Sequence, residues 1–328
     1  MTTAAADEPE LFWLAPQLAA LRTARRQGRF PHALLIQDAP GGGGNRLALA
    51  AAQCALCRDA DAPCGRCREC ERVAAGTHPD LWFVAPEGDS KQIRIDQIRA
   101  LNETLALTGH GGGGSVAILE PAEALNPNAA NALLKTLEEP RPGALIVLVT
   151  LAAARLPATV LSRCLRLAVR LPAPAASAAW LRAQRGPGDW EAVLELLGNA
   201  PLLALRRDPR ELLRLRDETR AHLDGALAGN VDIAAAADRW PREGFELRLL
   251  CAENWITRQI AARVAGNRPL TELHTGAHLP AADSSMNMRG LIRLSDALNE
   301  LRRLATTPIN KALAVEQLLW QLRAARAS

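Results

Sequence analysis

Short apolar runs alternate with amphipathic stretches through the first half of the 328-residue chain. Apolar runs bounded by turn-forming residues predict strands buried on both faces, and apolar residues recurring every three or four positions predict helices. This alternation predicts an α/β fold, in which helices cover both faces of a parallel sheet. The strands are predicted at Ala33–Gln37, Leu81–Ala85, Val116–Glu120, Leu145–Thr150 and Leu165–Val169. The helices are predicted at Leu47–Leu56, Ile93–Leu105 and Asn128–Leu137.

The second half of the chain shows helical periodicity only. Pro172-Ala173-Pro174 is interpreted as a linker, and a small helical unit is predicted from Ser177 to about Arg207. The pattern stays helical from Pro209 onward, with a predicted loop at Thr275–Asn287. Leucines at helical spacing predict two buried helix faces. The first contains Leu212, Leu215, Leu223 and Leu227, and the second contains Leu294, Leu298, Leu301 and Leu304.

The composition favours a cytoplasmic protein. Apolar residues make up 48% of the chain, but no apolar run reaches the roughly 18–20 residues of a membrane helix. Met1–Glu10 is acidic and lacks the basic-then-apolar order of a signal peptide. The formal net charge is only +4, whereas a dedicated nucleic-acid-binding domain usually has a dense basic patch. We therefore expect no membrane contact, and charge alone does not predict DNA binding.

A glycine-rich segment follows the first predicted strand and precedes a helix. Glycines there turn backbone N–H groups toward an anion at the positive end of the helix, and a working ATP loop reads G-x-x-x-x-G-K-[ST]. The lysine position falls on Gly44 or Asn45 and the hydroxyl position on Asn45 or Arg46, so both groups are missing. This favours a turn without a ligand. Weak binding of nucleotide or phosphate by Gly41, Gly43, Gly44 and Asn45 is the alternative.

The third predicted strand ends without the acidic pair of an ATPase. In that pair the Asp supports magnesium, and the Glu after it orients the attacking water. Glu120 stands here at the Asp position, and Pro121, which has no acid–base chemistry, stands at the Glu position. Glu123 comes two residues later than the missing base. This loss is independent of the loss in the glycine loop, and both predict that the chain does not hydrolyse ATP.

A cysteine cluster follows the first predicted helix. In a cytosolic protein such a cluster indicates metal binding rather than disulfides. Cys64, Cys67 and Cys70 are predicted ligands, and either Cys54 or Cys57 supplies the fourth, with Cys57 the nearer in sequence. A ferredoxin-type iron–sulfur run would need a Cys-Pro after three further residues, and none follows. Four thiolates therefore predict a structural zinc ion.

Four further motifs are spread over most of the chain. They are Gly76–Asp80, Asn131–Pro140, Ser162-Arg163-Cys164 and Thr307–Asn310 with Leu313 after it. In this order they resemble the turn before the second strand, a helix, the Ser-Arg-Cys motif and the last collar helix of bacterial AAA+ clamp-loader subunits. Within that family the chain resembles the delta prime branch, which combines the Ser-Arg-Cys motif with a degenerate nucleotide loop. The gamma and tau ATPases differ, because they keep the loop lysine, the acidic pair and a sensor arginine, which the turn Gly198–Pro201 lacks.

The resemblance implies three domains and a set of partners. The domains are an AAA+ core at 1–168 with a zinc module at about 54–72, a small helical lid at 169–210 and a helical collar at 211–328. The zinc module of the family makes Cys57 the expected fourth ligand. The expected partners are the gamma or tau ATPases and the delta subunit of DNA polymerase III, and through them the sliding clamp and primed DNA. ATP is expected to bind weakly or not at all.

The resemblance also gives Arg163 a role. In the family this arginine acts in trans, because it reaches the ATP site of the neighbouring ATPase subunit. A fixed guanidinium stabilises the charge on a transferring phosphoryl group, and arginine stays charged and donates two hydrogen bonds at once. The flanking Ser162 and Cys164, directly before a predicted strand, favour this role over an ordinary surface salt bridge.

Two other functions remain open on the sequence. One is an active ATPase, similar to gamma or tau, with a rearranged site that uses Arg46 and Glu123. The other is a zinc-dependent nucleic-acid-binding module, which the modest charge disfavours. Of the remaining side chains, His78 is interpreted as a turn residue, and Cys164 and Cys251 as buried small residues. Four tryptophans are predicted to lie in the core, namely Trp180, Trp240, Trp255 and Trp320.

Overall fold

The computed structural model describes residues 9–88, 90–106, 114–265, 288–304 and 310–325. The chain divides into two compact units, the first drawn from Met1–Ala176 with Ala200–Leu203 and the second from Ser177–Asn199 with Ala204–Ser328. None of the helices in the described ranges is both long and apolar enough to cross a membrane.

A parallel five-stranded sheet forms the centre of the first unit, with the strand order β2-β3-β4-β1-β5. Every residue of β3 and β4 is buried, as expected for strands covered on both faces. All four residues of β5 are exposed or partly exposed, which fits its position at the edge of the sheet. The predicted α/β fold is confirmed, and each strand ends within one residue of its prediction. The strands are β1 (Ala33–Gln37), β2 (Leu81–Val84), β3 (Ser115–Leu119), β4 (Ala144–Thr150) and β5 (Leu165–Ala168).

Six α-helices accompany the sheet in the described part of the first unit. Local signals set their ends: Asn126 caps α5, because its side-chain oxygen accepts the Ala129 N–H at 2.8 Å, and Pro127 occupies the first turn. The side chains of Ile98, Leu119 and Leu133 meet in the core beneath the sheet. The helices are α1 (Ala15–Arg26), α2 (Gly44–Leu56), α3 (Arg68–Ala74), α4 (Ile95–Ala106), α5 (Pro127–Glu138) and α6 (Ala158–Leu161).

The rest of the described chain is helical. Pro174 begins a helix, so the prediction of a linker through this residue was wrong: a proline fits the first helical turn, where no backbone N–H is needed. The loop predicted at 275–287 and the residues Thr307–Ile309 lie outside the described residues. The helices are α7 (Pro174–Arg185), α8 (Trp190–Leu196), α9 (Pro201–Leu205), α10 (Pro209–Ala228), α11 (Ile233–Arg242), α12 (Phe245–Ala265), α13 (Met288–Leu304) and α14 (Lys311–Ala324).

The second unit has a core of its own. The leucine face predicted on α10 is buried, and so are the described leucines of the face on α13, while the side chain of Leu304 lies outside the described residues. Trp240 and Trp255 are buried, but Trp320 is 50% exposed, so its prediction was wrong. The apolar residues of α14 lie on more than one face, and the core takes only Val315, Leu318, Leu319 and Leu322.

A fully buried arginine joins α10 to α12. Arg248 has no exposed surface, and its guanidinium donates to Glu218 Oε2 at 2.8 Å, to Thr219 Oγ1 at 3.2 Å and to the Glu243 carbonyl at 2.9 Å. The Arg248 hydrogen bond holds the pKa of Glu218 below its usual range. Pairing and hydrogen bonds thus offset the cost of burying this charge.

Candidate functional site

The glycine loop between β1 and α2 packs against other residues of its own unit. Gly43 precedes α2 with a left-handed φ of 94°, a conformation that favours glycine. The Trp13 indole N–H donates to the Gly42 carbonyl at 2.7 Å, and the Leu202 N–H donates to the Gly41 carbonyl at 3.2 Å. A Cβ on Gly43 would lie 2.7 Å from a methyl group of Leu11. The loop therefore has little room for side chains.

The carboxylate of Asp38 fills the position where an anion would meet the helix. One of its oxygens accepts the Gly44 N–H at 2.8 Å, and the other accepts the Ala39 N–H at 2.8 Å. A Cβ on Gly44 would lie 2.6 Å from Asp38 Cγ, and a Cβ on Gly42 would lie 2.6 Å from Asp38 Oδ1. The positive end of α2 thus binds an internal carboxylate. The sequence analysis missed this role of Asp38.

Two more carboxylates lie at the same end of the sheet. Burial, followed by the charges of Asp38 and Glu123, raises the pKa of Glu120. Burial also raises the pKa of Asp38, although its hydrogen bonds from Gly44 and Ala39 lower it. Glu123 accepts the Leu151 N–H at 3.3 Å, and the guanidinium of Arg46 donates to the Pro9 carbonyl at 2.8 Å. This acidic environment repels further negative charge.

Arg163 lies in the turn between α6 and β5, with 34% of its side chain exposed. Its guanidinium contacts the Glu138 carboxylate at 2.5 Å and donates to the Thr159 carbonyl at 2.8 Å and to Ser162 Oγ at 3.3 Å. Ser162 is itself fixed, because its hydroxyl donates to the same Thr159 carbonyl. The arginine is therefore held in one orientation at the surface of the first unit. Cys164 is half-buried and packs against the core.

Four cysteine sulfurs converge between α2 and α3. Cys57, Cys64, Cys67 and Cys70 place their Sγ atoms within 4.8 Å of one another, with Cys57 Sγ 3.7 Å from Cys64 Sγ and 3.8 Å from Cys67 Sγ. A tetrahedral zinc ion with Zn–S bonds of about 2.3 Å separates its sulfurs by roughly 3.8 Å. The group can hold a metal ion of this kind. Cys54 is fully buried within α2 and does not belong to the group.

Backbone groups orient the cysteines. The backbone N–H of Arg66 lowers the pKa of Cys64 to about 7, and the Cys70 N–H donates to Cys67 Sγ at 3.4 Å. Burial raises the pKa of Cys57 and of Cys70, whereas a bound cation would favour their thiolate forms.

His78, interpreted from the sequence as a turn residue, is buried. Its Nδ1 accepts the Asp80 N–H at 3.0 Å, and its Nε2 lies 3.1 Å from Glu69 on α3. His78 therefore links the turn before β2 to the helix that carries the last cysteine.

The chain is similar to known subunits of DNA polymerase III. A family model described as DNA polymerase III, delta subunit, matches residues 14–172. Subunit delta' of DNA polymerase III from Pseudomonas aeruginosa is 39% identical over 214 residues, which cover 64% of this chain and 65% of that protein. The same subunit from Haemophilus influenzae is 35% identical over 234 residues, covering 63% of this chain and 71% of that protein. The chain thus spans just under two thirds of the Pseudomonas protein.

A solved structure shows the same fold over nearly the whole chain. A gamma subunit-related protein of DNA polymerase III from Thermotoga maritima superposes with a TM-score of 0.52 and 19% identity, covering 94% of this chain and 99% of that one.

Proposed function

Because this chain belongs to the family of DNA polymerase III delta' subunits, we propose that it is a clamp-loader subunit that does not hydrolyse ATP and supplies Arg163 to a neighbouring ATPase subunit. Its proposed partners are the gamma or tau ATPases and the delta subunit, and its proposed place is in the loading of the sliding clamp onto primed DNA. The observation that carries the proposal is the carboxylate of Asp38 inside the glycine loop.

Charge and space support the proposed absence of hydrolysis. A nucleotide triphosphate would have to displace Asp38 from the Gly44 N–H and would lie near the carboxylates of Glu120 and Glu123. No loop lysine is present to offset that repulsion. Pro121 also occupies the position of the residue that would orient the attacking water. Each of these features alone disfavours catalysis in this chain.

Two features favour the proposed role of Arg163, namely the contacts that orient its guanidinium and its partial exposure. A guanidinium that stabilises a phosphoryl group in trans must reach beyond its own surface and must not lose much rotational freedom on binding. Arg163 is partly exposed, and Glu138, Thr159 and Ser162 restrict its orientation before any partner arrives. In a neighbouring site it would neutralise charge that develops on the transferring phosphoryl group.

Reconstitution of the loader tests this function. A complex built with Arg163→Ala is expected to hydrolyse ATP at the adjacent site more slowly, on the order of a thousandfold, while nucleotide still binds there. Arg166→Ala is a matched control, because Arg166 is exposed three residues further along. Equal rates for wild type and Arg163→Ala would contradict the trans role. Turnover by the purified chain alone, at a rate similar to that of the ATPase subunits, would support an active ATPase instead.

We further propose that the four cysteines hold a structural zinc ion. The segment between α2 and α3 has a small core of its own, in which Cys57, Ala62 and Cys70 are the buried members. So few apolar side chains cannot hold a segment of this length. Zinc bound by four thiolates would cross-link the end of α2 to α3 and would leave no open position for catalysis. Its contribution would be folding free energy.

A further inference from the structure

A basic cleft lies at the end of the sheet opposite to the glycine loop. It has a volume of about 580 Å³ and is formed by the segments that enter β1, β3 and β4 and by the ends of α1 and α2. Arg25, Arg58 and Arg141 line it, together with His32 and the ring of Phe30. No aspartate or glutamate is among the described residues that line the cleft.

The positive charge extends beyond the cleft along α1. The segment from Leu11 to Gln37 contains Arg22, Arg25, Arg26 and Arg29 and has no acidic residue. All four of these arginines are exposed. The modest net charge of the whole chain therefore conceals a local concentration of one sign, which raises the local concentration of anions.

Arg25 keeps hydrogen-bond donors available at the rim of the cleft. Arg25 uses one nitrogen to donate to the Cys57 carbonyl at 3.3 Å, and Arg58 lies 3.8 Å from the Glu69 carboxylate, with 67% of its own side chain exposed. The ion pairs within the described ranges do not involve Arg25 or Arg141. A guanidinium has five N–H donors, so Arg25 keeps most of its donors after this one contact.

We propose that this cleft binds the phosphate backbone of a nucleic-acid strand. Guanidinium groups match phosphate oxygens in a bidentate manner. The basic residues come from α1 and from the segments around Arg58 and Arg141, so several guanidinium groups are presented, which fits a polyanion better than a single phosphate. The half-buried ring of Phe30 offers an apolar face on which a base can stack. This binding is independent of the proposed trans role of Arg163, because the two groups lie in different parts of the first unit.

The test is binding of a fluorescein-labelled oligothymidylate to the full chain, followed by anisotropy over a range of salt concentrations. The test variant is Arg25→Gln with Arg141→Gln. The control is Arg94→Gln with Arg210→Gln, which removes the same charge from exposed positions outside the cleft. If both arginines contact phosphates, the slope of log affinity against log salt should become shallower by about 1.4 in the test variant. The control should keep the wild-type slope, and Arg25→Lys with Arg141→Lys should restore most of it.

Three results would overturn the proposal. The first is equal affinity and slope in the test and control variants. The second is a test variant that unfolds at a lower temperature but binds the oligothymidylate as tightly as wild type does. In that case the two arginines would stabilise the fold and would not contact phosphate. The third is competition by polyglutamate as strong as that by unlabelled oligothymidylate, which would identify an acidic protein segment as the ligand.

Discussion

The substitution Gly44→Ala tests whether Asp38 fills the glycine loop. Gly44 is the first residue of α2, and alanine in a helix is ordinarily more stable than glycine by up to about 1 kcal/mol. Here the new Cβ would lie 2.6 Å from Asp38 Cγ and 2.7 Å from Asp38 Oδ2. The carboxylate would have to move away from the Gly44 N–H, and a hydrogen bond to a charged group contributes about 1.5–3 kcal/mol. We therefore expect a net loss of roughly 1–2 kcal/mol.

The sign of the effect should reverse when Asp38 is absent. Asp38→Gly is the required background, because alanine at position 38 would leave a Cβ within 2.7 Å of the new methyl group. In that background Gly44→Ala should stabilise the chain, and the coupling free energy of the double-mutant cycle should be about 2–3 kcal/mol. Stabilisation by Gly44→Ala in the wild-type background would refute the argument that the carboxylate occupies the loop.

The assay must report on the first unit alone, because a chain of two units need not unfold in one step. Five of the seven tryptophans, Trp180, Trp190, Trp240, Trp255 and Trp320, lie in the second unit, so total fluorescence mainly follows that unit. Trp13 donates a hydrogen bond to the loop itself. Fluorine NMR of 5-fluorotryptophan at Trp13 during urea denaturation gives the stability of the first unit, and the Trp240 signal provides an internal control.

Three further changes have definite expected outcomes. Burial raises the pKa of Asp38 and of Glu120, so these two carboxyl groups bind more protons in the folded first unit than in the unfolded one. Their contribution to stability is complete below the ordinary carboxyl pKa and is lost as the pH rises through the folded-state values. Glu120→Gln should flatten this pH dependence of the Trp13 urea midpoint, and an unchanged profile would contradict it. Cys67→Ser should abolish stoichiometric zinc binding, measured by a colorimetric zinc assay after unfolding, and should destabilise the first unit by several kcal/mol. The control Cys54→Ser should retain the metal, and equal zinc contents in the two variants would exclude the proposed ligand set. Arg248→Leu should destabilise the second unit by about 3 kcal/mol. This value is at the lower end of the range for breaking a buried pair, because Glu218 keeps Arg214 and Arg239 as partners. A change below about 1 kcal/mol in tryptophan-detected urea denaturation would show that the pair contributes little.

The central strands of the sheet were predictable because they are buried on both faces. In β3 and β4 every side chain is enclosed, so the hydrophobic run and the strand have nearly the same limits. The cysteine group was predictable for a different reason: short spacing restricts where the ligands can lie. Trp320 was mispredicted because α14 has apolar residues on more faces than the core covers.

Features that depend on the path of a loop were not predictable. Asp38 follows β1 as any turn residue would, and only the route of the glycine loop brings Gly44 N–H back to its carboxylate, six residues later. Arg248 was part of a predicted helix, but nothing in its spacing indicated a buried guanidinium. The basic cleft combines Arg25 from the end of α1 with Arg58, which follows α2, and Arg141, which precedes β4. Their proximity comes from the parallel arrangement of the strands.

The close contact between Asp38 and Gly44 also limits the order in which mutations could introduce an ATP site into this loop. A lysine introduced at position 44 first would meet the carboxylate, and a change at position 38 first would leave the start of α2 without its hydrogen-bond acceptor. Either single step passes through a less stable protein, and neither one replaces Pro121. Asp38 and Gly44 are therefore coupled, so the effect of a change at one position depends on the residue at the other.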